Sequence, residues 1–277
     1  RPLAAPAAPL RFPVAGLRRL HELRTDVARD VVLAAIARGG RRVVPALLGR
    51  EEVRELLGPE PGEAVVDEVL DRSGGNALYV EQLVDAVRRE GEGALAQIPA
   101  GIRAAVRARL EPLPAATREL LVVATVLAPG FRVGVLAEVA GVATDVDLRE
   151  ALAPAFAGGL VEEGPDGVAF THVLVRDVLA DELAAERRSA AHAAAARAFI
   201  ALVESGDAVP PAVVAQHLVD AGTEADPVEV ARWSAAAADD ARRLTAHRDA
   251  ARWSEVAAHH WARAGDLEAQ GRALVDA

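Results

Sequence analysis

The sequence predicts a mainly α-helical protein that contains a single β-hairpin. Hydrophobic residues make up 52% of the 277 residues but aromatic residues only 3%, and a core of small aliphatic side chains suits closely packed helices. Apolar residues at helical spacing recur between Gly, Pro and Asp breaks. One stretch, 159–172, has instead the strand–turn–strand pattern of a hairpin.

The N-terminal part, residues 1–47, is predicted to be irregular at first and then helical. Residues 1–16 contain four prolines, which favour an irregular lead-in. Helical spacing follows at 17–39, and residues 41–48 have the pattern of a short strand that ends at Pro45.

Four short helices are predicted next, and their ends carry recognisable signals. The Gly58-Pro59 pair stops the first helix. Gly74 and Gly75 follow the second, where a left-handed cap is expected, and Asn76 is the predicted N-cap of the third. Together the four helices predict a small helical domain, and they cover residues 50–58, 62–75, 76–91 and 99–113.

The pattern changes after residue 113. Three apolar helical segments, at 116–128, 133–141 and 145–159, precede two apolar strands joined by the turn Gly-Pro-Asp-Gly. A further helix begins after His172, and its predicted apolar stripe comprises Leu174, Val175, Val178, Leu179 and Leu183. This order of helices, hairpin and closing helix is typical of a winged helix, a relative of the helix-turn-helix.

After Arg188 the chain is predicted to be helical throughout. The tetrapeptide Ala-Arg-Trp-Ser occurs twice, at 231 and 251, and Trp233, Trp253 and Trp261 are expected to pack between helices. Paired helices with alanines at their crossings resemble tetratricopeptide-type repeats, although the period and the tryptophan position differ from that consensus.

Composition argues against several classes of function. The formal net charge of −10 and the pI of about 5.3 disfavour a nucleic-acid or anionic-membrane binder. All 31 basic residues are arginine, so the sequence has no lysine-containing phosphate loop. It also lacks cysteine, an H-E-x-x-H or G-x-S-x-G motif, and an apolar run long enough to span a bilayer. We therefore expect a non-catalytic, cytoplasmic chain with no membrane contact.

Two polar clusters have simple interpretations. His259 and His260 are adjacent on a helix, so we expect them on different helix faces and not in one metal site. Glu162 and Glu163 on the hairpin would repel phosphates, and residues 101–190 contain nine arginines against thirteen carboxylates. These charges favour a regulatory module over a DNA-binding domain.

Four blocks of sequence, in order, resemble a known family. The blocks are SGGNALYVEQLVDAV at 73–87, IPAGIRAAVRARLEPLPAATRELLVVATVLAPGF at 98–131, FTHVLVRDVLADELAAERRSAAH at 170–192 and QHLVDAG at 216–222. They are similar to blocks of STAND-class signalling ATPases, in particular the large ATP-binding transcriptional regulators of the LuxR type. The order of the blocks makes the likeness specific.

The resemblance implies the middle portion of a nucleotide-dependent switch protein. In that family ADP holds a closed state, and nucleotide exchange with an inducer opens it. Residues 1–47 would be the last part of the AAA-type ATPase core, 48–113 a helical lid, 114–186 the winged helix and 187–277 the tetratricopeptide-like repeats. Because the chain contains no methionine, we expect it to be a piece of a longer protein.

Cofactors and partners follow from the same resemblance. ATP or ADP would bind the full-length parent, and no cofactor is assigned to this chain by itself. The partners would be the parent's own ATPase core and output domain, an inducer or protein on the repeats, and further copies of the protein on activation. The output domain would bind DNA or, in relatives, be a nucleotide cyclase.

His172 is the main candidate site residue. The resemblance implies that it contacts the β-phosphate of the nucleotide, for which an imidazole N–H is a suitable donor. It also implies that Asn76 and Ala77 lie near the adenine, and Arg176 is a weaker candidate for a phosphate contact. Position 77 is alanine where the family pattern has proline, which counts against an intact contact with the base.

The residues alone leave a second interpretation open. From its position at a strand–helix junction, His172 is more typical of a residue that caps or packs, and Arg176 is able to pair with Asp177. A helix end followed by an N-cap fully explains the Gly-Gly-Asn turn. A stand-alone helical interaction module without nucleotide binding is therefore the alternative function.

Overall fold

The computed structural model describes residues 46–59, 61–128, 130–164 and 167–275. The irregular lead-in, the helix predicted at 17–39 and most of the strand predicted at 41–48 lie outside these ranges. The described part of the chain is mainly α-helical, as predicted, with a small antiparallel sheet. Its helices are numbered α1 to α13 and its strands β1 to β3 in chain order.

The first four helices end close to their predicted signals. Gly58 ends α1 with a φ of 106°, and Gly74 ends α2 in the left-handed conformation with a φ of 53°. The Asn76 side chain accepts a hydrogen bond from the Leu78 N–H at 3.1 Å, which confirms it as the N-cap of α3. The helices are α1 Arg50–Leu57, α2 Glu63–Ser73, α3 Ala77–Glu90 and α4 Ala100–Leu110.

The middle of the chain has the predicted hairpin and one strand that was not predicted. The elements are α5 Ala115–Ala124, β1 Gly130–Phe131, α6 Val133–Ala140, α7 Asp145–Ala157, β2 Val161–Gly164, β3 Gly167–Phe170 and α8 Val173–Ala180. The sheet order is β1-β3-β2, with antiparallel pairing throughout. Strand β1 is too short for an alternating pattern to reveal it.

Glycine allows β1 to approach the hairpin. Gly167 has a φ of 129°, and a Cβ atom there would lie 2.5 Å from the Phe131 carbonyl oxygen. Any other residue would therefore force β1 away from β3 and adopt a strained backbone. The sheet depends on this position.

The prediction that Leu183 belongs to the helix after His172 is wrong. Helix α8 ends at Ala180, and the next helix, α9, begins at Ala185, four residues before the predicted Ser189. The Arg188 guanidinium donates hydrogen bonds to the carbonyl oxygens of Ala180 and Leu183 at 2.9 and 3.0 Å, which satisfies acceptors in this connection. Leu183 is nevertheless buried, with 3% of its surface exposed.

The last five helices follow as a series of packed neighbours. They are α9 Ala185–Glu204, α10 Pro211–Ala221, α11 Pro227–Arg243, α12 His247–Ala264 and α13 Leu267–Val275. The two Ala-Arg-Trp-Ser segments lie on α11 and α12. Trp253 is buried against alanines of α10 and α11, and the partly buried Trp233 packs against the same cluster, so both tryptophans pack between helices as predicted.

One apolar core joins α1 to α8 and the sheet, and Ala195 and Ala198 connect α9 to it. Two smaller clusters hold α9 to α12 together. This arrangement packs α8 against α2 and places the N-terminus of α8 beside the turn between α2 and α3. None of the helices in the described ranges is long and apolar enough to cross a bilayer.

Candidate functional site

His172 is the N-cap of α8 and also contacts the C-terminal end of α2. Its Nδ1 accepts a hydrogen bond from the Leu174 N–H at 3.2 Å. Its Nε2 lies 2.5 Å from the Ser73 carbonyl oxygen. Because a carbonyl oxygen only accepts, Nε2 carries the proton and Nδ1 is unprotonated. The two contacts therefore select one neutral tautomer of the ring.

The turn between α2 and α3 is shaped to receive this ring. A Cβ atom on Gly74 would lie 3.2 Å from the His172 Nε2, and the Tyr79 ring meets the imidazole edge-on with centroids 4.5 Å apart. Gly75 has a φ of 72°, and a Cβ there would lie 2.5 Å from the Leu48 carbonyl oxygen. Gly74 thus permits the close approach of the imidazole, and Gly75 permits the close approach of the Leu48 backbone.

Electrostatics keep the His172 ring neutral. Burial lowers the pKa of His172, and the nearby Arg109 guanidinium lowers it further, while the Ser73 carbonyl and Asp177 act in the opposite direction. Burial dominates because an imidazolium loses more hydration than a neutral imidazole. The ring is therefore a neutral donor through Nε2 at physiological pH.

Arg109 is a half-buried arginine that the sequence interpretation did not single out. One of its terminal nitrogens donates to the carbonyl oxygens of Gly158 and Gly159 at 3.1 and 2.6 Å. Its Nε–H is buried without a hydrogen-bond acceptor among the described residues. A buried donor on a charged group without a partner is uncommon. Arg109 belongs to the second family-like block, but nothing in its spacing distinguishes it from the other arginines there.

Of the other sequence-predicted site residues, Asn76 and Arg176 have local hydrogen-bond partners. Asn76 caps α3, and Ala77 is the exposed first residue of that helix. The Arg176 guanidinium donates two hydrogen bonds to Asp177 Oδ1, at 2.8 and 2.6 Å, which is the pairing that the sequence allowed. His172 therefore lies beside the turn that leads into Asn76 and Ala77, whereas Arg176 is already paired on α8.

His259 and His260 are adjacent on α12 and differ in exposure, as expected for different helix faces. Their rings are in edge-to-face contact with centroids 5.2 Å apart, although His259 is exposed and His260 half-buried. Burial lowers the pKa of His260, and the charge environment of His259 and Arg263 adds to this. The His260 Nδ1 has no hydrogen-bond partner in the part of the chain that the structure describes.

Comparison with known proteins adds no assignment to this geometry. No family model matches the chain, and neither a curated protein nor a solved structure matches it.

Proposed function

We propose that this chain is the regulatory middle portion of a nucleotide-dependent signalling ATPase, of the type found in large LuxR-type transcriptional regulators. In this proposal α1 to α4 are the helical lid, α5 to α8 with the sheet are the winged helix, and α9 to α13 are the sensor repeats. The chain itself is not an enzyme. ATP or ADP would bind the parent protein and bias the lid and the winged helix.

The observation that carries the proposal is the position of His172 between two elements. One ring nitrogen caps α8, which follows the hairpin, and the other contacts the end of α2. A nucleotide phosphate could replace the Ser73 carbonyl as the acceptor for Nε2–H, because both are oxygen acceptors. Nucleotide occupancy would then exchange a contact between α2 and α8 for a contact with the ligand. Such differential contacts are what shifts a two-state equilibrium.

Two further features support the winged-helix part of the proposal. Helices α6 and α7 are joined by residues 141–144, a short connection in which Gly141 has a left-handed conformation, as in helix-turn-helix units. The hairpin follows directly and presents Glu162 and Glu163 to solvent. Exposed carboxylates at this position favour an internal switch over contact with nucleic acid.

Arg109 would complete the anion site. The positive charge of Arg109 lowers the pKa of the His172 ring, and the Arg109 Nε–H has no hydrogen-bond acceptor among the described residues. A phosphate bound at His172 would be attracted by the Arg109 charge, which favours an anion at this position.

The test is nucleotide retention by the protein as its native gene encodes it. The protein is purified without added nucleotide and denatured, and the released ATP and ADP are quantified by ion-exchange chromatography. His172→Asn keeps an N-cap but removes the Nε2–H donor, so we expect less retained ADP. His247→Asn, at an exposed histidine on α12, is the matched control and should retain ADP like the wild type. A wild-type protein that carries and binds no nucleotide would overturn the proposal.

A stand-alone helical interaction module is the second candidate. The observation that favours it is that both ring nitrogens of His172 already have protein partners. A histidine with that environment is complete as a structural cap without any ligand. The same nucleotide measurement separates the two candidates, since the module predicts no nucleotide in the wild type.

A further inference from the structure

A second pair of histidines lies between α9 and α10. The Nδ1 atoms of His192 and His217 are 3.0 Å apart, and the ring centroids are separated by 5.2 Å at an interplanar angle of 42°. A contact of this length between two ring nitrogens requires a single hydrogen, donated by one ring and accepted by the other. We refer to His192 and His217 as the histidine pair.

The histidine pair lies at the edge of an apolar cluster. The His217 ring stacks on Phe199, with centroids 5.4 Å apart and an interplanar angle of 27°. Ala196, Val214 and Leu218, which belong to the cluster around Phe199, are almost fully buried. Two half-buried imidazoles beside an apolar cluster carry a desolvation cost that an apolar pair would not. Packing alone therefore does not account for two histidines at this position.

We propose that the histidine pair is a binding site for a divalent transition-metal ion such as Zn²⁺, independent of the nucleotide switch. Imidazole nitrogen is a preferred ligand for such ions. With metal–nitrogen bonds of about 2.0–2.1 Å, tetrahedral coordination sets two ligand nitrogens about 3.3–3.4 Å apart. The observed separation of 3.0 Å is slightly shorter, so modest rotation of the two side chains would open the site.

The hydrogen bond of the pair leaves a lone pair for a cation. One Nδ1 accepts the shared hydrogen and is therefore unprotonated, as metal ligation requires. On binding, the ring that donates Nδ1–H would move its proton to Nε2, and the metal would occupy the two freed Nδ1 lone pairs. No net proton is released by that exchange.

A carboxylate lies nearby to balance the charge. Asp220 acts on both histidines by raising their pKa, opposing the effect of burial. Its Oδ1 accepts a hydrogen bond from the Gln216 amide at 2.9 Å, which holds the carboxylate one turn after His217. Arg188 opposes this charge at His192. Asp220 would therefore offset part of the positive charge of a bound ion.

The protein supplies two ligands to this site. Among the described residues, no group of three or more His, Cys, Asp or Glu side chains is placed to hold a metal ion. Water would complete the coordination shell, as in other sites that keep open positions. The site is therefore expected to be exchangeable and not a permanent structural centre.

Calorimetric titration of the full chain with Zn²⁺, prepared without a polyhistidine tag, tests the proposal. We expect one saturable site. His192→Asn and His217→Asn place a hydrogen-bonding atom near the position of Nδ1 but remove the ligand. Each substitution should weaken Zn²⁺ binding by at least about tenfold. That is the lower end of the loss in metal affinity when a residue that only hydrogen-bonds to a metal ligand is replaced. The control is His259→Asn. His259 is exposed and contacts the ring of His260, and this variant should bind Zn²⁺ like the wild type.

A measurement on the wild type keeps the test independent of how the variants fold. Imidazole ¹⁵N spectra recorded during the Zn²⁺ titration should show the Nδ1 resonances of His192 and His217 shifting together. Absence of saturable binding, or shifts confined to other histidines, would overturn the proposal and leave the pair as a packing contact. Asn variants that bind Zn²⁺ as the wild type does would overturn it equally.

Discussion

Comparing His172→Ala with His172→Asn distinguishes the energetic contributions of the two contacts of the His172 ring. Alanine removes both the cap of α8 and the hydrogen bond to the Ser73 carbonyl. Loss of a side-chain N-cap costs about 1 kcal/mol, and loss of a hydrogen bond that leaves its partner less satisfied costs about 1–2 kcal/mol. Alanine should therefore destabilise the protein by about 2–3 kcal/mol. Asparagine is among the best N-caps, so it should lose about 1 kcal/mol less than alanine.

Urea unfolding at neutral pH, followed by far-UV circular dichroism, measures this difference. The midpoints should fall in the order wild type, His172→Asn, His172→Ala, with unchanged m-values if the denatured states are alike. Equal loss in the two variants would refute the capping role, and no loss in either would refute both contacts. His247→Asn, at an exposed position, controls for a general effect of the substitution.

The same contacts give His172 a pH dependence of known sign. The pKa in the folded protein is lowered from its ordinary value of 6.5, so the stabilisation is present above that value. It is lost as the pH falls through the lowered folded pKa. The physical reason is that burial disfavours the charged imidazolium, and a protonated Nδ1 also no longer accepts the Leu174 N–H. The free energy of unfolding of the wild type should therefore decrease more steeply on acidification than that of His172→Asn.

Three further experiments test individual contacts of the fold. Gly167→Ala should lower the unfolding midpoint more than Gly206→Ala, because both glycines have positive φ but only at Gly167 would the added Cβ meet backbone, 2.5 Å from the carbonyl of β1. Leu148→Ala, at a fully buried site of the large core, should cost about 2–5 kcal/mol in urea unfolding. A double-mutant cycle on Arg103 and Asp181, which form an ion pair between α4 and the end of α8, should give a coupling of at most about 1 kcal/mol, because exposed pairs are screened by water.

Local signals made much of the fold predictable. Gly74 and Asn76 determine how α2 ends and α3 begins through their own backbone and side-chain chemistry, so a short window of sequence is sufficient. The hairpin was likewise predictable from its turn and its two apolar strands. Strand β1 was not, because it exists only through pairing with β3. The end of α8 was also missed; there the Ala180 carbonyl accepts a hydrogen bond from Arg188, eight residues further along the sequence, and a local pattern does not reveal such a contact.

The candidate sites were likewise predictable only where their contacts are local in the sequence. The sequence indicated His172 as a cap or a sensor, but its second partner, Ser73, is 99 residues away. The histidine pair joins two positions 25 residues apart, and neither position carries a motif. Arg109 is distinguished from the arginines around it by contacts made 49 and 50 residues away in the sequence, at Gly158 and Gly159, and by the unsatisfied Nε–H that tertiary packing leaves. Pairings of this kind depend on how helices meet, which periodicity does not specify.

Both proposed sites share a consequence for affinity. At His172 a phosphate would replace the Ser73 carbonyl, and at the histidine pair a metal ion would replace the shared hydrogen, so each ligand gains a contact only by breaking an internal one. The net affinity for each ligand is the free energy of the new contact minus that of the internal contact that it breaks. Loss of the internal contact is therefore an observable sign of binding. Nucleotide binding should therefore weaken the contact between α8 and α2. Zn²⁺ should instead stabilise the contact between α9 and α10, because it would bind one ligand on each helix. Hydrogen exchange would distinguish these effects, with faster exchange at the start of α8 in the first case and slower exchange in α9 and α10 in the second. A ligand that changed neither region would have bound elsewhere.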